Sequence, residues 1–280
     1  MTERKKSWLQ KLFPDTGGTE PQVMSRSSAD NVYHCCVHKT ASQWLLRIFS
    51  EPDTYRFCGL QAYRYFRELP GGVDERKIKD RTFDKPFPER TIVTPLYIGL
   101  DNFRAIPKPN SWRGFFVVRD PRDILVSWYF SWKHSHPVMG DIGKQREQLA
   151  SMNEAEGLCY GIDELEGNGL FAALRSWKGV LPGDPNLTVV RYEDLIDRDQ
   201  FEEFRKLFAH CAIALPDDVL RRILQKNSFA AIAKGRERGK EDVTSHLRKG
   251  VHGDWKNHFT PQVEEKFRDV TGDLVETLGY

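Results

Sequence analysis

From about residue 30 onward, short apolar runs alternate with stretches that repeat their apolar positions at helical spacing. Asn31–Val37 is a mostly apolar run of strand length. Thr91–Thr94, Gly114–Val118 and Leu187–Arg191 are further short runs rich in β-branched or aromatic residues. Helical patterns separate them: Trp44–Phe49, Asp123–Lys133, Glu164–Lys178, Phe201–Cys211 and Asp217–Lys226. Strands that alternate with helices predict βαβ units and a parallel sheet, an α/β fold whose ligands sit at the carboxyl ends of the strands. Residues 1–28 lack this periodicity apart from one amphipathic patch, Trp8-Leu9 with Leu12-Phe13. They predict a flexible N-terminal arm ahead of one folded unit over 29–280. No internal repeat or second hydrophobic block divides that unit.

Composition narrows the function class. The 280 residues are 39% hydrophobic and 29% charged, and 42 basic against 40 acidic residues leave a formal charge of +2. No global field makes nucleic acid the expected partner. No apolar run approaches the ~20 residues of a membrane span, and the charged start MTERKKSWLQKLF does not read as a secretory signal. Five cysteines, odd in number and without Cys-x-x-Cys spacing, predict reduced thiols and a cytoplasmic protein. His34-x3-His38 and His134-x-His136 lack Cys or acidic ligands at regular spacing, so no metal site is expected.

Candidate chemistry follows the predicted strands. After the first comes His38-Lys39-Thr40-Ala41-Ser42-Gln43-Trp44, opening a helix. A strand, a lysine with two hydroxyls and a helix start make an anion site, because the first N–H groups and the positive dipole end face the anion. The loop lacks the glycines of a Walker A motif, and the same pattern also describes a capped surface helix with an incidental lysine. After Phe115–Val118 come Arg119-Asp120-Pro121-Arg122-Asp123 and a helix bearing Ser127, which can converge with Arg119 on a second anion. A surface Arg–Asp cluster with Pro121 in the first helical turn is the alternative. Residues 221–256 hold ten Lys or Arg and four Asp or Glu, and within them Arg248-Lys249-Gly250-Val251-His252-Gly253-Asp254-Trp255-Lys256 reads as a basic loop able to close over phosphate.

These three elements, in this order, resemble the sulfotransferases that use 3′-phosphoadenosine 5′-phosphosulfate (PAPS). His38–Trp44 resembles the family's Pro-Lys-Ser-Gly-Thr-Thr-Trp loop, Arg119 with Ser127 eight residues on resembles its 3′-phosphate element, and Arg248–Lys256 resembles its Arg-Lys-Gly-x-x-Gly-Asp-Trp-Lys segment. Tyr192-Glu193-Asp194 and Asn227-Ser228-Phe229 also match. The resemblance runs from about residue 31 to the C-terminus. It implies a single three-layer α/β domain with a central parallel sheet and a P-loop-like phosphosulfate-binding loop.

By position, the resemblance assigns Lys39, Thr40, Ala41, Ser42 and Gln43 to the 5′-phosphosulfate and Trp44 to the adenine. Lys39 is the catalytic cation. Arg119, Ser127, Arg248, Lys249 and Gly250 fall at the 3′-phosphate, and Tyr192, Asn227 and Phe229 at the adenine pocket. PAPS is the implied co-substrate, adenosine 3′,5′-bisphosphate (PAP) the product, and no metal is required. The partner is an acceptor hydroxyl or amine of a small molecule, sugar or lipid. Departures from the pattern are Ala41 for Gly, Gln43 for Thr, and Val93-Thr94-Pro95-Leu96-Tyr97 where cytosolic members carry Lys-Thr-His-x-Pro. Pro95 takes the place of the catalytic histidine, and Glu51, Asp53, Glu68, Asp101, His134 and His136 stay open as the base. Lys256-x3-Thr260-Pro261-x3-Glu265 resembles the family's dimer motif with Pro261 for Val, consistent with a monomer or weak homodimer. A nucleotide-dependent kinase and a non-catalytic nucleotide-binding module remain as alternative functions.

Overall fold

A computed structural model describes residues 22–138, 141–197 and 199–280. Its centre is a five-stranded parallel sheet of β1 (Asn31–Cys36), β2 (Gln61–Tyr63), β3 (Thr91–Tyr97), β4 (Trp112–Val118) and β5 (Leu187–Arg191), in the order β2-β3-β1-β4-β5. The four expected strands are present. β2 was not foreseen, because three residues are too short for a periodicity to register.

Alternation along the strands explains the three layers. Tyr33, Cys35, Val93, Phe116 and Val118 point to one face of the sheet, and Val32, Ile92, Phe115 and Val117 to the other. Burying each such side chain is worth about 1.5–3 kcal/mol, so both faces need a cover. The second face is covered by α1 (Ser42–Phe49), and the first by α2 (Pro121–Phe130), α3 (Glu154–Asn168) and α4 (Leu170–Ser176). On the second face α1 is joined by α5 (Gln200–His210) and α6 (Asp217–Lys226), and on the first the others are joined by α7 (Pro261–Thr271). The helix expected over Glu164–Lys178 is two helices: Gly169, at φ 82°, ends α3 in a left-handed turn before α4 begins. The pattern expected to run to Lys133 leaves α2 at Phe130 and continues as a π-helical turn, Ser131–Ser135.

Pro95 lies within β3, between two neighbours, where a ladder donor is missing. The β1–β3 register slips between Tyr33 and Cys35, so Tyr33 faces Val93 but Cys35 faces Leu96. The chain direction across the sheet reverses beside β1, placing the loops after β1 and β4 next to one another, the position where such sheets open a crevice. Residues 24–27, assigned above to the flexible arm, are tied down: Met24 N–H donates to Arg56 O at 2.7 Å and Ser27 N–H to Cys58 O at 2.8 Å. The amphipathic patch at residues 8–13 lies outside the described residues.

Candidate active site

The loop after β1 is wound tightly. Lys39 (φ 68°) and Ala41 (φ 60°) both take left-handed backbone, and Ala41 caps α1 with no side-chain hydrogen bond. That conformation costs an alanine about 1–2 kcal/mol relative to ordinary backbone. Side-chain caps are present on some helices and absent from α4, α5 and α6 as well as from α1. Asp120 caps α2, Asn153 and Glu156 form a capping box on α3, and Thr260 caps α7. The amino end of α1 has no such partner and leaves its first N–H groups for an anion.

Arg119, at the end of β4, reaches across to this loop and donates from Nη1 to Lys39 O at 2.9 Å, while its guanidinium lies 4.5 Å from the centre of the Tyr192 ring. Its Nε is buried without a partner, as is Gln43 Oε1. Burial, with Arg119 and Arg248 nearby, lowers Lys39 to about 7. Such a lysine gains from an anionic ligand twice, by charge pairing and by recovering its proton.

The third element is anchored to the second. The Asp123 carboxylate accepts from Gly253 N–H at 2.6 Å and Trp255 N–H at 2.9 Å, and the Arg122 guanidinium sits 3.8 Å over the Trp255 ring. Gly250 (φ 71°) packs so closely on Phe229 that a Cβ there would lie 2.4 Å from the ring. The segment read above as a basic loop able to close over phosphate already has its basic pair engaged within the chain. Arg248 pairs with Asp254 and Glu241, and Lys249 Nζ lies 2.6 Å from Asp254 Oδ1. Burial alone would raise the Asp254 carboxyl, but hydrogen bonds from His258, Lys249 and Arg248 hold it well below the usual carboxylate range.

One cleft gathers Lys39, Ala41, Ser42, Gln43, Trp44, Arg119, Ser127, Tyr192, Phe229, Arg248, Lys249 and Gly250. Two expected residues stand behind it. Thr40 is buried and donates its hydroxyl to Val37 O at 2.8 Å. Asn227 is buried too, accepting from Trp44 Nε1 at 2.7 Å and donating to Glu51 at 2.9 Å, so it props the indole from below. Of the six open candidates for a base, His136 alone is among the described residues that line the cleft. Glu193, beside Tyr192, binds Asp120 N–H and the Tyr280 hydroxyl, a structural use.

Several cleft residues escaped the sequence reading. Tyr97 at the end of β3 shares a 2.8 Å hydrogen bond with Ser42 Oγ and stacks on His38 at 4.5 Å, and burial raises its hydroxyl to about 12. Arg238 and His246 also line the cleft. Their signal was faint: they lie in the basic segment, with no local spacing that singles them out. The histidine pairs are split, since His34 stacks on Phe115 under the sheet and His134 is exposed, while His38 and His136 face the cleft. Among the described residues no three His, Cys, Asp or Glu side chains form a metal-binding group.

Comparison with known proteins fits this geometry. The sulfotransferase domain model matches residues 108–279, which hold the Arg119–Ser127 and Arg248–Lys256 elements. Mouse Sulfotransferase 2A1 is 33% identical over 172 residues, covering 56% of this chain and 54% of that protein. Cytosolic sulfotransferase 10 of Arabidopsis thaliana is 28% identical over 194 residues, covering 65% and 56%. The chain thus spans about half the length of the curated relatives it matches. The fold is shared with mouse sulfotransferase SULT7A1 complexed with PAP (TM-score 0.60, 19% identity, 91% of this chain and 88% of that one). It is shared also with retinol dehydratase in complex with androsterone and inactive cofactor PAP (TM-score 0.51, 13% identity, 90% and 82%). The loop after β1 lies outside the matched stretch and carries the departures Ala41 and Gln43, yet it meets Arg119 in the same crevice. Since the matched stretch is more than half of the chain, the chain belongs to the sulfotransferase domain family.

Proposed function

We propose that the protein transfers a sulfuryl group from PAPS to a hydroxyl of an acceptor. One observation carries the reading. The described residues lining the cleft include five cations, Lys39, Arg119, Arg238, Arg248 and Lys249, and no carboxylate, around the uncapped amino end of α1. Two separate anion positions suit a nucleotide phosphorylated at both ends: the α1 end with Lys39, and the group of Arg119, Ser127 and Arg248–Gly250. The buried, unpartnered Arg119 Nε is a donor waiting for such a group. PAP is the nucleotide of the solved relatives named above.

In this reading Lys39 neutralises the charge that grows on the oxygen bridging sulfur and the 5′-phosphate, and the 3′-phosphate contacts hold the donor in line. A lining without carboxylates favours a neutral hydroxyl over a cationic amine as acceptor. It also disfavours the kinase alternative, because no acidic side chain among the described lining residues offers itself to a nucleotide-bound Mg²⁺. Among the described residues no helix is long and apolar enough to cross a membrane. Five free thiols and one relative named cytosolic support a cytoplasmic protein, and Pro261 in place of the dimer motif's Val supports a monomer or weak homodimer. The domain proposed over 29–280 is extended back to residue 24 by the hydrogen bonds of Met24 and Ser27 to the chain after α1.

The test is thermal stabilisation by nucleotides, followed by turnover of sulfur-labelled PAPS over a panel of alcohols and phenols. PAP should raise the melting temperature more than ATP with Mg²⁺. The reverse order would support the kinase, and stabilisation by PAP without turnover on any acceptor would leave a binding module.

A further inference from the structure

We infer that His136 takes the proton from the acceptor hydroxyl, a role that rests on the sulfuryl-transfer reading above. Attack by the acceptor oxygen forms an O–S bond and releases one proton, while the S–O bond to the 5′-phosphate breaks with its electron pair on the phosphate oxygen. That oxygen faces Lys39, and the proton needs a separate acceptor on the other side of the sulfur. The described lining of the cleft has no carboxylate, and its side chains with a basic lone pair near Lys39 are the imidazoles of His38, His136 and His246.

His136 is the one whose placement is built by the backbone. The helix after β4 loosens into the π-helical turn Ser131–Ser135, a distortion common at functional sites. His136 follows it, donating its N–H to Ser131 O at 2.6 Å and accepting from the Arg146 guanidinium at its own carbonyl. Its ring lies 4.4 Å from that of Trp132, and its Nδ1 is 3.0 Å from Pro137 O. A carbonyl only accepts, so Nδ1 carries the hydrogen and Nε2 carries the lone pair. The tautomer needed by a base is therefore set by the main chain. By comparison His38 stacks on Tyr97, whose ring Arg81 also covers at 5.5 Å.

Charge around His136 agrees with this use. Burial, with Lys39 and Arg146 nearby, lowers it to about 4, so the imidazole is neutral at working pH. His38 and His246 share its surroundings and are themselves held low by burial and by Lys39. A bound sulfonate places negative charge beside Lys39 and offsets that field, which raises the affinity of Nε2 for a proton when donor is present. After transfer, the imidazolium returns its proton to solvent.

The test compares the native chain with His136→Gln and His38→Gln, using phenol and 4-nitrophenol as acceptors at mildly alkaline pH. 4-Nitrophenol is already largely ionised there and needs little help from a base. His136→Gln should lower turnover of phenol by ~10²–10⁴ but that of 4-nitrophenol by less than about tenfold, with PAP affinity nearly unchanged. A merely structural role would lower both equally, and equal losses overturn the inference, as does the same selective loss in His38→Gln alone. Nitrogen NMR of the labelled imidazoles gives a readout without an acceptor. His136 should be protonated at Nδ1 in the free protein and should titrate at higher pH with saturating PAPS. A hydrogen on Nε2, or no upward shift, overturns the inference. Failure of PAP to bind the native chain would instead refute the proposed function.

Discussion

Gly250 and Gly253 separate two costs that are usually confounded. Both have left-handed backbone, at φ 71° and 73°, so alanine at either pays about 1–2 kcal/mol for that conformation. At Gly253 a Cβ meets nothing within 4 Å, and the cost ends there. At Gly250 the Cβ would lie 2.4 Å from Phe229 Cδ2 and 2.5 Å from Cε2, where ordinary contact begins at 3.4 Å. The ring must retreat by about 1 Å, against the Arg236 guanidinium 5.1 Å from its centre, which adds about 1–3 kcal/mol of overpacking. Phe229 lines the cleft, so the retreat is felt by the nucleotide. Gly250→Ala should therefore lower stability by about 2–5 kcal/mol and weaken PAP binding at least ~10-fold, a loss of about 1.4 kcal/mol or more. Gly253→Ala should lose about 1–2 kcal/mol of stability and stay within about threefold in affinity. Urea unfolding and titration calorimetry measure the two quantities. Equal PAP affinities in the two variants would show that the Phe229–Gly250 contact does not shape the nucleotide site.

Three further outcomes follow from the same cleft. Lys39→Ala should cut turnover by roughly 10²–10³ with a much smaller loss of PAP affinity, and near-normal turnover in steady-state assays would remove the lysine from the reacting bond. Native protein should bind PAPS much more tightly than adenosine 5′-phosphosulfate, and Arg119→Ala should narrow that gap; equal affinities in the native chain would displace the 3′-phosphate from Arg119. Since Lys39 is lowered to about 7 when free, and bound anions favour its ammonium form, PAP affinity should be greater below that pH and fall as pH rises above it. Calorimetry in buffers of different ionisation enthalpy should show proton uptake on binding on the alkaline side, absent in Lys39→Met.

What could be read from the sequence was what a local segment encodes. The strand ends at Cys36 and Val118, the lysine at the mouth of α1 and the Gly250–Gly253 loop each declare themselves within about ten residues. His38, Tyr97, His136 and His246 of the cleft do not, because they come from four separate stretches of chain that only the fold brings together. Thr40 and Asn227 show the opposite failure, being in the right segments but with side chains turned away, to Val37 O and to Glu51. Asp254 is the instructive case. It lies six residues from Arg248, yet counting charge across the segment treats it as a small deduction from a basic loop. In the folded chain its buried carboxylate is the centre of that loop, held by Arg248, Lys249, Asn257 and His258. The basic pair is therefore already positioned, and under the proposed reading a 3′-phosphate would share or displace an internal anion rather than order a free loop. Preorganisation of this kind lowers the entropy cost of binding while making part of the electrostatic gain an exchange of partners.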